Sequence, residues 1–118
     1  EGWWDAGKPE TLLETNEHLL KIGHGGVDEG ASVVGAEIVE PVRIEAGVTV
    51  RGGKIGPNVT LETGTTVTDS ELEHTVVGAS SELTRVRLQH SLIGGNSSLS
   101  DVSGRLLVTD HSVVTGAS

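Results

Sequence analysis

A ladder of aliphatic residues recurs every five or six positions through most of the chain. Neither an α-helix, with a repeat of about 3.6 residues, nor a β-strand, with a repeat of about 2, has this spacing. Ladder residues that are three steps apart in this series are separated by 16 or 17 positions in the sequence. This return is typical of a solenoid whose coil has three short sides, each giving one apolar residue to a shared interior. The ladder consists of Ile38, Ile44, Val50, Ile55, Leu61, Val67, Leu72, Val77, Leu83, Leu88, Ile93 and Leu99.

Hexapeptide units that begin at ladder residues share a pattern of residue types. The first residue is aliphatic, the fourth is Gly, Asn or Ser, and the fifth is small or β-branched. The fourth position suits a corner, where a positive φ angle is often required, and the fifth suits a smaller residue pointing inward. We therefore predict an all-β solenoid of about five coils, from near Ile22 to near Leu99. The clearest units are Ile44 to Thr49, Ile55 to Thr60, Leu61 to Thr66, Val77 to Glu82 and Ile93 to Ser98.

The composition supports a solenoid and limits the possible partners. The chain has two Trp and no Phe, Tyr, Met or Cys. A narrow column of branched aliphatic side chains needs no aromatic residues, whereas a globular core of this size normally uses them. The net charge of −9, without a basic run, predicts no binding to nucleic acid or to an anionic membrane. Since there is no transmembrane run or signal peptide, we expect a cytoplasmic protein.

The two ends of the chain are organised differently from the ladder. Pro9 at a first helical turn, a stripe of four Leu residues and a stopping Gly23 predict one N-terminal α-helix from about Pro9 to Ile22. We therefore divide the chain into residues 1–23, a junction and helix, and residues 24–118, the β-helix domain. At the other end, the segment from Leu106 to Val114 predicts a closing strand, since solenoid ends need caps.

The segment from Gly2 to Asn16 contains two motifs, Trp-x-Asp-x-Gly and Pro-Glu-x-Leu-Leu-Glu-x-Asn. It resembles the end of the catalytic domain in sugar-1-phosphate nucleotidyltransferases. Together with the hexapeptide coils and an Asp-His-Ser tail at Asp110 to Ser112, nearly the whole chain resembles the long form of glucose-1-phosphate thymidylyltransferase. In that family the coils form a left-handed parallel β-helix, so the resemblance implies this handedness.

The resemblance also implies a reaction and a metal ligand. Such enzymes join a nucleoside triphosphate and a sugar 1-phosphate on Mg²⁺, giving a nucleotide sugar and pyrophosphate. The Asp of the Trp-x-Asp-x-Gly motif is one of two carboxylates that hold the metal, and in this chain it is Asp5. A hard, oxygen-preferring ion needs such a ligand. The family commonly has Thr after this Asp, where this chain has Ala6.

Most of the family's active site has no counterpart in this sequence. There is no Gly-rich phosphate loop of the Gly-x-Gly-Thr-Arg-Leu kind and no second metal carboxylate in a suitable context. We therefore expect a C-terminal segment that needs an upstream catalytic domain and is inactive alone. Its expected role is to assemble subunits and to buttress that domain. Flat coil faces rich in Thr and Ser suit packing between identical copies, with a trimer favoured over a dimer.

The histidines support an alternative function. His74 and His90 are 16 residues apart, and each follows a ladder residue by two positions, so we expect them to stack on adjacent coils. Hexapeptide proteins include zinc carbonic anhydrases and acyltransferases with a catalytic His. The sequence offers no third His at a matching offset, because His18 and His24 lie near the helix and His111 lies in the tail. Hydrogen bonding at a surface or an interface is the simpler role for the pair.

Overall fold

Parallel β-strands make up most of the structure. The computed structural model describes residues 13–16, 18, 20 and 26–116. Within these residues, thirteen strands form one sheet, and every pairing between them is parallel. The strands are β1 (Gly26–Val27), β2 (Ser32–Val34), β3 (Glu37–Ile38), β4 (Val42–Ile44), β5 (Thr49–Ile55), β6 (Val59–Leu61), β7 (Thr66–Val77), β8 (Glu82–Thr84), β9 (Arg87–Ile93), β10 (Ser98–Ser100), β11 (Ser103–Gly104), β12 (Leu107–Val108) and β13 (Val113–Thr115).

The strands wind into a solenoid with three faces. Each face stacks one inward-facing residue per turn in strict register. Face 1 stacks Val27, Ile44, Leu61, Val77, Ile93 and Val108. Face 2 stacks Val33, Val50, Val67, Leu83, Leu99 and Val114. Face 3 stacks Ile38, Ile55, Leu72, Leu88 and Gly104, which confirms the column predicted from the 16-to-17-residue return.

The structure is a left-handed β-helix-like solenoid of about six turns. The expected number was about five, and the difference lies at the C-terminus. The segment predicted as a closing strand forms β12 and β13, which pair in parallel with β9 and β10 and extend the solenoid. The corner between faces 3 and 1 also shortens along the chain: Ile38 to Ile44 spans six positions and Leu72 to Val77 spans five. The later coils therefore contain fewer residues than the first.

Ladder residues fill the interior. Every ladder residue from Ile44 to Leu99 is at most 1% exposed, and Ile38, in the first turn, is partly buried. The fifth residue of the hexapeptide also points inward, as predicted: Val48, Thr65, Ser81 and Ser97 are each at most 2% exposed. Branched aliphatic residues and small hydroxyl residues therefore share a core that contains no aromatic side chain among the residues described.

Buried hydroxyl groups link successive turns. The Ser81 hydroxyl donates to the backbone carbonyl of Gly94 (3.1 Å) and accepts from the backbone N–H of Ser97 (3.2 Å). The Thr65 hydroxyl donates in the same way to Gly78 (3.0 Å), and the Ser97 hydroxyl donates to Thr109 (3.2 Å). Backbone groups inside a corner must find partners away from water. These side chains supply them where the strand pairing is interrupted.

In the hexapeptides that begin on face 1, the fourth residue turns the corner between faces 1 and 2. Its φ angle is positive at Gly47 (79°), Gly64 (77°), Ser80 (59°), Asn96 (57°) and His111 (61°). Glycine adopts this conformation at little cost, and Asn tolerates it better than most residues. The predicted role of this position is confirmed.

A short helix precedes the solenoid. Residues 13–16, 18 and 20 are helical, which agrees with the predicted α-helix, although its ends fall outside the described residues. The Thr60 hydroxyl, on the outer side of face 1, donates to Asn16 Oδ1 (2.5 Å). Thr60 is only 7% exposed, and Leu20 is buried as well. The helix therefore lies against face 1. No helix in the described part of the chain is long and apolar enough to cross a membrane.

Candidate functional site

The predicted histidine stack is present at the corner between faces 3 and 1. The rings of His74 and His90 are parallel to within 4°, with their centroids 4.9 Å apart. Both residues have positive φ angles, 48° and 50°, as does Asn58 (64°) one turn earlier. Asn58 Nδ2 lies 3.3 Å from His74 Nδ1. An amide NH₂ group can only donate, so His74 accepts this bond through Nδ1.

The stacking geometry limits what this pair can do chemically. Imidazole nitrogens bind a metal through lone pairs that lie in the plane of the ring. Two nearly parallel, stacked rings direct these lone pairs side by side and not toward one point. The Nδ1 atom of His74 is also engaged by Asn58. This arrangement therefore suits an ordered polar corner better than a shared zinc ion.

The other histidines of the described residues lie on different elements. His18 is exposed on the helix. His111 turns a different corner, between faces 1 and 2, where its backbone N–H donates to the Gly95 carbonyl (2.9 Å). His24 and Asp5 lie outside the described residues, and the metal role of Asp5 stays a prediction. Across residues 13–16, 18, 20 and 26–116, no group of three or more His, Asp or Glu side chains could hold a metal ion.

A row of carboxylates lies where face 1 meets the corner to face 2. Glu45 Oε1 accepts from the Thr63 backbone N–H (2.9 Å), and Asp110 Oδ1 accepts from that of Gly95 (3.0 Å). Glu62 accepts a bond from the backbone N–H of Ala79. Burial, and then the negative charge of Glu45, raise the pKa of Glu62 above its ordinary value. The role of these carboxylates is to satisfy turn N–H groups.

A bidentate ion pair occupies the corner between faces 2 and 3. Arg85 Nε and Nη2 donate to the two carboxylate oxygens of Asp101 at 2.7 and 2.9 Å. Hydrogen bonding and charge from Asp101 raise the pKa of Arg85, and the Arg85 guanidinium lowers the pKa of Asp101. Asp69, Arg85 and Asp101 all have positive φ angles. Local charge pairing thus accompanies a strained backbone at this corner.

The outer surfaces of the three faces differ in chemistry. Face 1 is partly covered by the helix at Thr60. Face 2 presents short hydroxyl side chains, including Thr49, Thr66, Thr68, Thr84, Ser98 and Ser100. Face 3 presents a column of exposed charges, Glu37, Lys54, Glu71 and Arg87. Sequence reasoning missed this column, although each charge immediately precedes a face 3 ladder residue.

A hollow of about 110 Å³ lies at the centre of face 3. Its polar lining includes Lys54, Glu71, Glu73 and Gln89, and its floor includes Gly56 and Pro57. Both signs of charge are present, and no His or nucleophilic side chain lines it. The hollow therefore has the character of a contact surface more than that of an active site.

Comparison with known proteins leaves the fold as the main result. The sequence matches no family model and no curated protein. The resemblance to nucleotidyltransferases rests on the Gly2-to-Asn16 motifs and on the tail from Asp110 to Ser112, of which residues 13–16 and 110–112 are described. The structure shows a β-solenoid of about six turns and does not identify a specific enzyme.

Proposed function

We propose that this chain is the β-solenoid domain of a sugar-1-phosphate nucleotidyltransferase, similar to the long form of glucose-1-phosphate thymidylyltransferase. Its role is assembly of subunits and support of the catalytic domain. The contact between Asn16 and Thr60 carries the proposal. Asn16 is the last residue of the motif that resembles the end of the catalytic domain, and its side chain is hydrogen-bonded to the solenoid. The end of this motif is thus joined directly to the solenoid.

Catalysis in this proposal belongs to a catalytic domain upstream. Mg²⁺ would be held there by Asp5 together with a second carboxylate from that domain, and it would neutralise charge on the triphosphate. The residues of the solenoid bind no substrate in this scheme. They provide a rigid, hydrogen-bonded platform and surfaces for a homo-oligomer, for which a trimer is the first expectation from the resemblance and a dimer the second.

Two measurements on the purified chain test this division of labour. With thymidine triphosphate, glucose 1-phosphate and Mg²⁺, we expect no release of pyrophosphate, because a lone carboxylate without a phosphate cradle cannot neutralise a triphosphate. Light scattering should give a multiple of the 12.2 kDa chain mass. Turnover above background would refute the proposed separation of catalysis from scaffolding. A monomer at every concentration would refute the assembly role.

The alternative, a zinc-dependent or acyl-transfer activity at His74 and His90, has weaker support. It predicts bound zinc or an activity that is lost in His74→Ala and His90→Ala. The parallel stacking of the rings disfavours a shared metal. Metal analysis of the purified chain distinguishes the two functions, since stoichiometric zinc removed by either substitution would favour the alternative.

A further inference from the structure

The charges on face 3 alternate in sign along the solenoid axis. Parallel register places Glu37 beside Lys54, Lys54 beside Glu71, and Glu71 beside Arg87. All four side chains are exposed. Neighbouring strands lie about 4.8 Å apart, so the column forms a straight row about 14 Å long with the order minus, plus, minus, plus.

These charges are available to a partner. None of the four forms an ion pair within 4.0 Å of another residue in the described part of the chain, where Arg43 pairs with Glu45 and Arg85 pairs with Asp101. Alternation along adjacent strands gives each side chain a neighbour of opposite charge, which keeps the row electrically neutral. This row is therefore locally neutral on a chain whose net charge is −9.

When the row is read in the opposite direction, its charges are plus, minus, plus, minus, so each charge in a reversed copy lies opposite one of the other sign. We propose that face 3 binds face 3 of a second copy of this chain, with the two solenoid axes antiparallel and a two-fold axis between Lys54 and Glu71. Each Glu37 then faces Arg87 of the second copy, and each Lys54 faces Glu71 of the second copy. This inference rests on the proposed role in self-association and selects the dimer, the second of the two expected assemblies.

The rest of the face fits the same arrangement. The residues that follow the face 3 ladder residues Ile55 and Leu72 are Gly56 and Glu73, one turn apart. In the antiparallel arrangement Glu73 of one copy faces the stretch at Gly56 and Pro57 of the other copy, which lines the hollow of about 110 Å³.

A parallel arrangement of the two copies is less favourable. A two-fold axis parallel to the solenoid axis would place the charged row of one copy, which precedes the ladder residues of face 3, opposite the residues that follow those ladder residues in the other copy. Glu71 would then face Glu73, and Lys54 would face Gly56. Like charges placed directly opposite each other weaken association, and they also suppress the wrong register. The sequence of charges thus selects the antiparallel dimer.

Association through this face should be weak and dependent on concentration. Four strands give a contact only about 15 Å high, well below the size of a standard interface. Exposed charge pairs add specificity more than affinity. Light scattering or sedimentation over a concentration series is therefore the suitable measurement.

Charge reversal at the two ends of the row gives a decisive test. Glu37 and Arg87 are three strands apart in one chain, about 14 Å, and do not contact each other. In the proposed dimer they face each other. Glu37→Lys alone should raise the dissociation constant at least about tenfold, because the introduced ammonium would face the guanidinium of Arg87. Arg87→Glu alone should do the same. An equimolar mixture of the two variants should dimerise again, since both end pairs are then of opposite charge.

Matched controls come from face 2. Glu82→Lys and Arg51→Glu change the net charge by the same amounts on another exposed surface, and both should leave the dissociation constant unchanged. Circular dichroism verifies that each variant is folded. If an end variant does not fold, Lys54→Glu and Glu71→Lys provide a second pair with the same mixing logic.

The outcomes separate this inference from the proposed function. A wild-type chain that stays monomeric at every concentration refutes the assembly role and the dimer together. A wild-type oligomer that is unaffected by both end variants refutes the face 3 contact and leaves the assembly role standing. Single variants that lose association without recovery in the mixture refute the antiparallel register.

Discussion

Replacing Ser81 with Ala removes only the hydroxyl oxygen, but it should destabilise the solenoid strongly. The Ser81 side chain is fully buried, and its hydroxyl joins one turn to the next through Gly94 and Ser97. Alanine occupies nearly the same volume, so no sizeable cavity forms. The loss is therefore almost entirely one of hydrogen bonding.

The magnitude follows from the two groups that lose their partner. Leaving a buried backbone N–H or carbonyl unsatisfied costs about 1–3 kcal/mol. The Ser97 N–H has only one hydrogen to donate and loses a bond of 3.2 Å. The Gly94 carbonyl loses a bond of 3.1 Å but retains a second lone pair. We expect the free energy of unfolding to fall by about 2–4 kcal/mol.

Urea denaturation followed by circular dichroism measures this change, with Ser98→Ala as the matched control. Ser98 lies one turn later on the outer side of face 2, and within the described residues its side chain forms no hydrogen bond. Its replacement should change the free energy of unfolding by less than about 0.5 kcal/mol. Ser81→Thr keeps the hydroxyl and introduces the residue found at the equivalent position, Thr65. Its free energy of unfolding should therefore fall less than that of Ser81→Ala. Equal midpoints for Ser81→Ala and Ser98→Ala would refute the structural role of the buried hydroxyls.

Three further perturbations have outcomes set by the structure. Because burial and Glu45 raise the pKa of Glu62, the ionised form is less favourable in the folded chain; this penalty is absent below pH 4.5 and complete above the raised pKa. Glu62→Gln should therefore raise the free energy of unfolding at pH 7, by less than about 1 kcal/mol, and leave it unchanged at pH 4; equal effects at both values in urea titrations would contradict this. Gly47→Ala should destabilise by about 1–2 kcal/mol, since φ is 79°, whereas Gly47→Asn should cost less because Asn96 occupies the equivalent corner; identical melting curves would refute the corner argument. Asn16→Ala should cost about 1 kcal/mol through loss of the bond to Thr60, with Glu14→Ala, on the exposed side of the helix, as a control of little effect.

The sequence predicted the interior of the solenoid well because the constraint there is local and periodic. Each turn must place an apolar side chain inward on every face, and a chain that turns three corners per coil can do so only at nearly fixed intervals. The spacing alone therefore predicted that Ile55, Leu72 and Leu88 stack in one column. The corner residues were equally visible, since few residue types accept a positive φ angle.

The number of turns and the function of the carboxylates needed the structure. Beyond Leu99 the ladder ends, because Gly104 takes the aliphatic position on face 3 and Val108 follows it after only four positions. Glu45, Glu62 and Asp110 accept hydrogen bonds from backbone N–H groups of neighbouring turns. The sequence of a single hexapeptide therefore does not reveal these bonds.

The sequence by itself determined the repeat, the buried columns, the corner positions and the stacking of His74 on His90, because each depends on intervals along one chain. Only the tertiary structure decided how the outward residues combine. The parallel rings at the histidine corner and the alternating row on face 3 join residues from separate turns, and the bond from Thr60 to Asn16 joins a turn to the helix. Outward side chains carry no burial constraint that would reveal them in the sequence, and their neighbours become known only when the register between turns is fixed.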